Sequence, residues 1–117
     1  MAEGDTFEVA VEAGPAGGTV VHVAGDLDLA TAPQLEEALS GRVEESGLVI
    51  DLSDCTFIDS TCVRVLVSVA RETEEAGART ALVATDPGIL RVLEITALDT
   101  LVPVHSSVDE ALAVVVD

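Results

Sequence analysis

The sequence contains no lysine, tryptophan or tyrosine, and only two phenylalanines among its 117 residues. Five arginines stand against 22 aspartates and glutamates, so the formal net charge is −17 at pH 7. Nucleic-acid binding proteins depend on cationic side chains that neutralise phosphates, and many also stack bases on aromatic rings. The composition therefore argues against direct binding to nucleic acid or to an anionic membrane.

The chain is also poor in cysteine and in long apolar runs. Cys55 and Cys62 are too few for a disulfide framework, and no His or Cys pair lies nearby in sequence to complete a zinc site. No apolar run approaches the length of a bilayer span, and the N-terminus lacks the features of a secretion signal. We therefore expect a cytoplasmic protein without metal or cofactor, in which both thiols are reduced and packed.

Motifs of several enzyme classes are missing. The sequence has no Gly-x-x-x-x-Gly-Lys-Ser/Thr loop, no Gly-x-Ser-x-Gly elbow and no His-Glu-x-x-His pair. A cysteine phosphatase needs an arginine shortly after its thiol, but Thr61 and Ser68 stand six residues after the two cysteines. We expect no catalytic activity of its own.

The residues that are present predict one domain over 1–117, with an aliphatic core and an N-terminal β-hairpin. Hydrophobic residues make up 49% of the chain, mainly Val, Leu, Ala and Ile. Alternating residues at 7–12 predict a half-exposed edge strand, and a turn at 13–18 joins it to a second strand at 19–24.

Three capping patterns predict the starts of helices. Thr31-Ala-Pro-Gln34 resembles a capping box and opens a helix in which Leu35, Leu39 and Val43 recur, ending near Gly47. Asp86 precedes a proline at the first helical position of a short helix, and Ser107-Val-Asp-Glu110 is a second capping box.

Apolar runs at 48–52 and 78–84 are typical of parallel strands that are covered on both faces. Residues 101–104 are predicted to form an edge strand, because their proline has no N–H to donate to a neighbouring strand. The predicted order is β-β-α-β-α-β-α-β-α, which describes a single α/β domain with a mixed, mainly parallel sheet.

The most informative segment covers residues 51–66, Asp-Leu-Ser-Asp-Cys-Thr-Phe-Ile-Asp-Ser-Thr-Cys-Val-Arg-Val-Leu. An apolar strand leads through an acidic loop into a helix that begins at Ser60. At 100° per residue Ser60 lies on the polar arc, so its hydroxyl should face solvent at a helix N-terminus. Unpaired amides there favour a phosphate, which Asp54 and Asp59 would surround with negative charge. An ordinary polar residue in a first helical turn is the alternative interpretation of Ser60.

This segment resembles the signature of the STAS family, the bacterial anti-sigma factor antagonists. The Gly25-Asp-Leu-Asp28 turn, the Thr31-Ala-Pro helix start and the element order extend the resemblance over essentially the whole chain. It implies that the unmodified protein binds an anti-sigma factor, usually a serine kinase, and thereby frees a sigma factor. Phosphorylation of Ser60 by that kinase would break the complex, with Thr61 as the second-choice acceptor.

The sequence departs from the family pattern at two positions, because Cys62 and Arg64 stand where glycines are usual. Glycine lets another backbone come close, so side chains at both positions are expected to alter either kinase docking or the choice of partner. They keep open a scaffold or ligand-sensing domain that is not phosphorylated. Whether a serine phosphatase resets the switch is left open as well.

The resemblance also predicts a partner-binding surface around the serine. Asp59 is expected mainly to cap the helix, and Asp26 to contact the partner, because the family places the Gly-Asp turn beside the serine. Arg64 follows Ser60 by one helical turn and either pairs with a phosphate there or is simply solvated. The expected set comprises Asp26, Asp28, Thr31, Asp59, Ser60, Thr61 and Arg64.

Three further readings concern single residues. A phospho-aspartate receiver would use Asp51 or Asp54, but that family requires a lysine, which this chain lacks. Cys62 lies in a first helical turn, where a thiol can be activated, but its angular position favours packing over redox chemistry. His22 and His105 lie in no motif and are assigned no function.

Overall fold

The computed structural model describes residues 7–42 and 47–116. Its element order confirms the predicted β-β-α-β-α-β-α-β-α arrangement, and a short 3₁₀ turn at Leu98–Thr100 is added within these residues. The strands are β1 (Glu8–Ala13), β2 (Thr19–Leu27), β3 (Leu48–Ile58), β4 (Thr80–Val83) and β5 (Val104–His105), and the helices are α1 (Ala32–Ser40), α2 (Ser60–Glu75), α3 (Pro87–Ile95) and α4 (Val108–Val115).

The five strands form one sheet in the order β1-β2-β3-β4-β5. β1 pairs with β2 in antiparallel fashion, and the other three pairs are parallel. The predicted hairpin and the mixed, mainly parallel sheet are therefore both confirmed. The carboxyl ends of β2, β3 and β4 lie at the same edge, where the loops that follow them meet.

The core has two layers because successive strand residues face opposite sides of the sheet. Ile50 and Leu82 face a large cluster that includes Leu66 of α2 and buried residues of α1 and α3. Val49 faces the other side, where Val115 of α4 covers a smaller cluster. Three helices therefore cover one face, and α4 covers part of the other.

The predicted end of the first helix was wrong. α1 ends at Ser40 and is followed by Gly41, while Val43, the third expected apolar position, lies outside the described residues. Gly47 already belongs to the sheet region, because its carbonyl oxygen accepts a hydrogen bond of 2.8 Å from the amide of Thr19. Gly47 therefore pairs with the start of β2 and does not end a helix.

The acidic loop expected after residue 52 is instead strand. β3 continues to Ile58, and its second half pairs with the end of β2 through two register irregularities. Because β4 pairs only as far as Asp51, the extension has a single neighbouring strand, and polar side chains remain exposed along it. Residues 25–27, expected as part of a turn, likewise belong to β2.

The last two strands are shorter than their apolar runs. β4 covers Thr80–Val83 rather than 78–84, and β5 begins at Val104, after the proline that was placed inside it. Pro103 still takes part in the sheet, since its carbonyl oxygen accepts a 2.9 Å hydrogen bond from the amide of Leu82. A residue without an N–H can serve only as an acceptor at this edge.

Two glycines provide a matched test of the packing beneath α4. A Cβ added to Gly47 would lie 2.7 Å from the carbonyl oxygen of Val115, whereas one added to Gly41 meets nothing within 4 Å. We expect Gly47→Ala to lower the free energy of unfolding by about 1 to 3 kcal/mol in urea titrations. Gly41→Ala should leave it unchanged or raise it by about 0.4 to 1 kcal/mol. Equal effects of the two substitutions would contradict this packing.

Candidate functional site

Ser60 lies where β3 turns into α2, and Asp59 holds that junction. One Asp59 carboxylate oxygen accepts hydrogen bonds from the amides of Thr61 at 3.0 Å and Cys62 at 3.2 Å. The backbone amide of Asp59 donates to the carbonyl oxygen of Leu27 at 3.0 Å. The predicted cap is therefore present, and it also joins the end of β2 to the helix. Ser60 is exposed, as its helical position predicted.

The cap changes the expected surroundings of a phosphate on Ser60. We expected unpaired amides at the helix start to face it, but Asp59 already occupies the amides of Thr61 and Cys62. The helix dipole remains favourable, while the Asp59 carboxylate stands next to the modified residue. A phosphate there would be an exposed charge with little compensation from the backbone.

The loop after β2 is fixed by its own hydrogen bonds. An Asp28 carboxylate oxygen accepts from the amides of Ala30 at 3.0 Å and Thr31 at 3.1 Å. The Thr31 hydroxyl donates to the carbonyl oxygen of Asp26 at 2.8 Å and accepts from the amide of Asp28 at 3.0 Å. These contacts restrain the segment between Asp26 and Thr31.

One expectation for Thr31 was wrong. Its side chain forms no capping hydrogen bond with α1, because its hydroxyl is committed to the loop. Thr31 is only 8% exposed, and its hydroxyl positions the loop, so its predicted contact with a partner stays a prediction.

The loop and α2 contact each other through Cys62. The Cys62 thiol donates to the carbonyl oxygen of Asp28 at 3.5 Å, which brings the loop against the first turn of the helix. Asp26 and Asp28 are half-buried, as are Asp59 and Thr61, while Ser60 is exposed. The structure thus brings this predicted set together at one edge of the sheet.

Both thiols are packed, as predicted. Burial, reinforced by Asp59 and Asp28, raises the pKa of Cys62 to about 11. Burial likewise raises the pKa of Cys55 to about 12, with Asp51 and Asp54 adding to the effect. Thiolates are the nucleophilic form of cysteine, so neither residue is activated for redox chemistry at neutral pH.

The two departures from the family pattern have different consequences. Cys62 is fully buried, so it adds no bulk to the exposed surface. Arg64 is exposed one turn after Ser60, and its side chain forms no hydrogen bond or ion pair with any residue that the structure describes. Of the two, only Arg64 changes what a partner would meet.

A second polar cluster, which sequence reasoning missed, joins the first three strands. His22 Nε2 lies 2.8 Å from a carboxylate oxygen of Glu12, and Nδ1 lies 2.7 Å from one of Asp51. The Ser53 hydroxyl donates to the other oxygen of Asp51 at 2.6 Å. His22 and Asp51 are partners in the β2–β3 register, so only a correct register would have paired them.

This cluster favours a protonated imidazole. The hydrogen bond to Glu12 outweighs burial and, together with Asp51, raises the pKa of His22 above its ordinary value of 6.5. Burial alone would raise the pKa of Asp51, but hydrogen bonds from Ser53 and His22 lower it overall. Both ring nitrogens donate at the same time only in the protonated, positively charged form of the ring.

Neither a metal centre nor a membrane span is found in the described part of the chain. No group of three or more His, Cys, Asp or Glu residues within 7–42 and 47–116 is arranged to hold a metal ion. No helix within those residues is both long and apolar enough to cross a bilayer.

Replacing Asp59 tests the junction. Asp59→Ala removes the acceptor for two helix amides, so we expect the free energy of unfolding to fall by about 1 kcal/mol in urea titrations. Asp59→Asn keeps a side-chain oxygen and should lose much less. A capping role would be contradicted if the asparagine variant were as unstable as the alanine variant.

His22 should make stability depend on pH. Because the native pKa of His22 is raised, its contribution to the free energy of unfolding is complete below the ordinary pKa of 6.5. That contribution is lost as pH rises through the native pKa. The contribution of Asp51, whose pKa is lowered, is present above 3.8 and is lost as pH falls through the native value. We expect His22→Gln to flatten the decline in unfolding free energy above pH 6.5, measured by urea titration across that range. His105→Gln, which removes the other histidine, should leave the decline in place.

Comparison with known proteins places this geometry in a family. The model of the STAS domain family matches residues 8–111. An anti-sigma-B factor antagonist of Listeria monocytogenes is 30% identical over 88 residues, which cover 74% of this chain and 77% of that protein. The anti-sigma-F factor antagonist RsfB of Mycobacterium tuberculosis is 30% identical over 98 residues, covering 82% and 80%.

A solved structure gives the same result. The crystal structure of an anti-sigma factor antagonist from Mycobacterium paratuberculosis is similar with a TM-score of 0.87 at 32% identity, over 100% of both chains. The family match and this structure both cover β3, α2 and the loop after β2. This chain belongs to the STAS domain family.

Proposed function

We propose that this protein is an anti-sigma factor antagonist that works by partner switching. The unphosphorylated form binds an anti-sigma factor that is a serine kinase, and a sigma factor is released as a result. Phosphorylation of Ser60 dissociates the complex. The observation that carries this proposal is the exposed Ser60 at the first position of α2. It follows the Asp59 cap and lies two residues before Cys62, whose thiol contacts the loop at Asp28.

Electrostatics account for the switch. A phosphoserine adds about 1.5 to 2 negative charges at neutral pH. On Ser60 this charge stands next to the carboxylate of Asp59, whose hydrogen bonds already occupy two of the helix amides. A partner that has docked here must then desolvate a phosphate that this chain does little to neutralise, so binding weakens.

Hydrogen bonds around Ser60 support a modification that changes the surface charge without changing the fold. The Asp59 amide ties α2 to the end of β2, and Thr31 and Cys62 hold the neighbouring loop. Ser60 itself is exposed and contributes nothing to the core clusters. Its modification should therefore leave the core packing intact.

Ser60 is the preferred acceptor over Thr61 because of access. Thr61 is half-buried, and its amide is bound to the Asp59 carboxylate, whereas Ser60 is exposed. The kinase would supply ATP and the catalytic groups, and this chain would supply only the hydroxyl. A serine phosphatase would be needed to regenerate the binding form.

Arg64 supports a second candidate function, in which the domain binds its partner without phosphorylation control. Its exposed guanidinium is one helical turn from Ser60, where it can pair with a phosphate and reduce the added charge. An Arg64→Gly variant tests this compensation. A larger effect of phosphorylation on binding in that variant would indicate that Arg64 weakens the switch.

Phosphorylation with purified components tests the proposal. The protein is incubated with ATP and each anti-sigma serine kinase of its own organism, and phosphate is located by mass spectrometry. We expect modification at Ser60, none in Ser60→Ala, and retained kinase binding by that variant. Ser60→Asp should weaken kinase binding at least about tenfold, since it places one of the phosphate's charges at this position.

Ser68→Asp is the matched control because Ser68 is an exposed serine two turns further along α2. It adds the same charge and should leave binding nearly unchanged. Full binding by Ser60→Asp would contradict the switch and favour the candidate without phosphorylation control.

A further inference from the structure

We propose that Leu29 and Phe57 are the apolar anchors by which the partner holds this surface. The occupant would be the anti-sigma factor, offering an apolar recess with a basic rim. This inference rests on the proposed function, and it adds the residues that supply affinity as distinct from the residue that is modified.

Both side chains are exposed where most large apolar residues of this chain are buried. Leu29 is 72% exposed and Phe57 is 49% exposed, and Phe57 is one of only two aromatic residues in the sequence. Single exposed apolar residues are ordinary on protein surfaces. Their position beside the candidate switch, on a rigid support, is what distinguishes these two.

Phe57 lies near the end of β3, a short way before Ser60 in the chain. It is the penultimate residue of that strand, three positions before the serine, and it is the register partner of Asp26 in β2. Its neighbour Ile58 is buried in the main core and is the register partner of Leu27. The strand ladder therefore fixes the backbone from which the Phe57 ring projects.

Leu29 approaches the same helix start from the loop. The preceding carbonyl oxygen, that of Asp28, accepts the thiol hydrogen bond of Cys62 in the first turn of α2. The carboxylate of Asp28 accepts from the amides of Ala30 and Thr31, so the backbone on both sides of Leu29 is tied down. An exposed leucine in a restrained loop is preorganised for binding, because little backbone entropy remains to be lost.

The surrounding charge defines the chemistry of the partner. Acidic residues stand next to both anchors: Asp26 is the register partner of Phe57, Asp28 precedes Leu29, and Asp59 follows Phe57 by two residues. Asp54 is exposed three residues before Phe57 in the same strand. Apolar anchors inside a polar rim are the usual arrangement of a binding surface, and an acidic rim is complemented by arginine and lysine. A basic rim around an apolar recess on the anti-sigma factor matches this arrangement.

The same arrangement explains why a phosphate would be effective. A partner seated on Leu29 and Phe57 would also reach Ser60, which follows Phe57 by three residues. A phosphate on that residue would have to lose its hydration for the anchors to remain bound, which opposes docking. The anchors therefore make the interface sensitive to the modification.

Binding measurements on surface variants test the anchors. Leu29→Ser and Phe57→Ser are titrated calorimetrically against the anti-sigma kinase that binds the wild-type protein. We expect each to weaken binding about thirtyfold, the size of a typical hot-spot loss. Phe57→Leu, which keeps an apolar side chain, should recover part of the affinity.

Ile95→Ser is the matched control, since Ile95 is 70% exposed at the last residue of α3. It should change affinity less than about twofold, the range of an energetically neutral contact. Thermal unfolding followed by circular dichroism should show that each serine variant remains folded at the titration temperature.

The outcomes separate the anchors from the switch. Wild-type affinity in folded Leu29→Ser and Phe57→Ser, together with weak binding by Ser60→Asp, would overturn the anchors and leave the switch intact. Weak binding by the serine variants with full binding by Ser60→Asp would support the anchors and overturn the switch. A wild-type protein that binds none of the kinases overturns both. If sedimentation shows that Leu29→Ser and Phe57→Ser dissociate a wild-type homodimer and leave kinase affinity unchanged, the occupant is a second copy and the proposal is wrong.

Discussion

The junction at Asp59 is the contact on which the rest of the site depends. Its backbone amide joins the end of β2, and its carboxylate takes up two amides at the start of α2. A helix start normally leaves several amides without partners, and one short acidic side chain is the common solution. Here that solution also fixes the direction in which Ser60 projects. Without it, a serine at this point would be part of a fraying helix end.

Around this junction, the residues that stabilise the fold differ from those on the exposed surface. Buried aliphatic side chains on the two faces of the sheet hold the strands and helices, while the residues at one edge remain polar or exposed. Thr31 and Cys62, both buried, connect the loop to that frame. Acidic side chains at a fixed edge give a surface whose behaviour is governed by charge, so a single modification can alter binding without altering the fold.

The fold was largely predictable because its signals are local. Alternation, apolar runs and capping residues identified every strand and helix in order, and Asp86 and Ser107 cap their helices as expected. The errors came from contacts distant in sequence. Gly47 pairs with Thr19 and does not end α1, β3 is long because its polar half pairs with β2, and Thr31 bonds Asp26 rather than its own helix. Local patterns cannot report which distant backbone competes for the same groups.

The sequence by itself determined the element order, the exposure of Ser60, the Asp59 cap and the excess of negative charge, since each follows from periodicity or composition. Only the tertiary structure decided which side chains meet. It buried Thr31, placed His22 between Glu12 and Asp51, and left Leu29 and Phe57 exposed. The physical reason is that strand register and loop hydrogen bonds set these neighbours, and both depend on residues far apart along the chain.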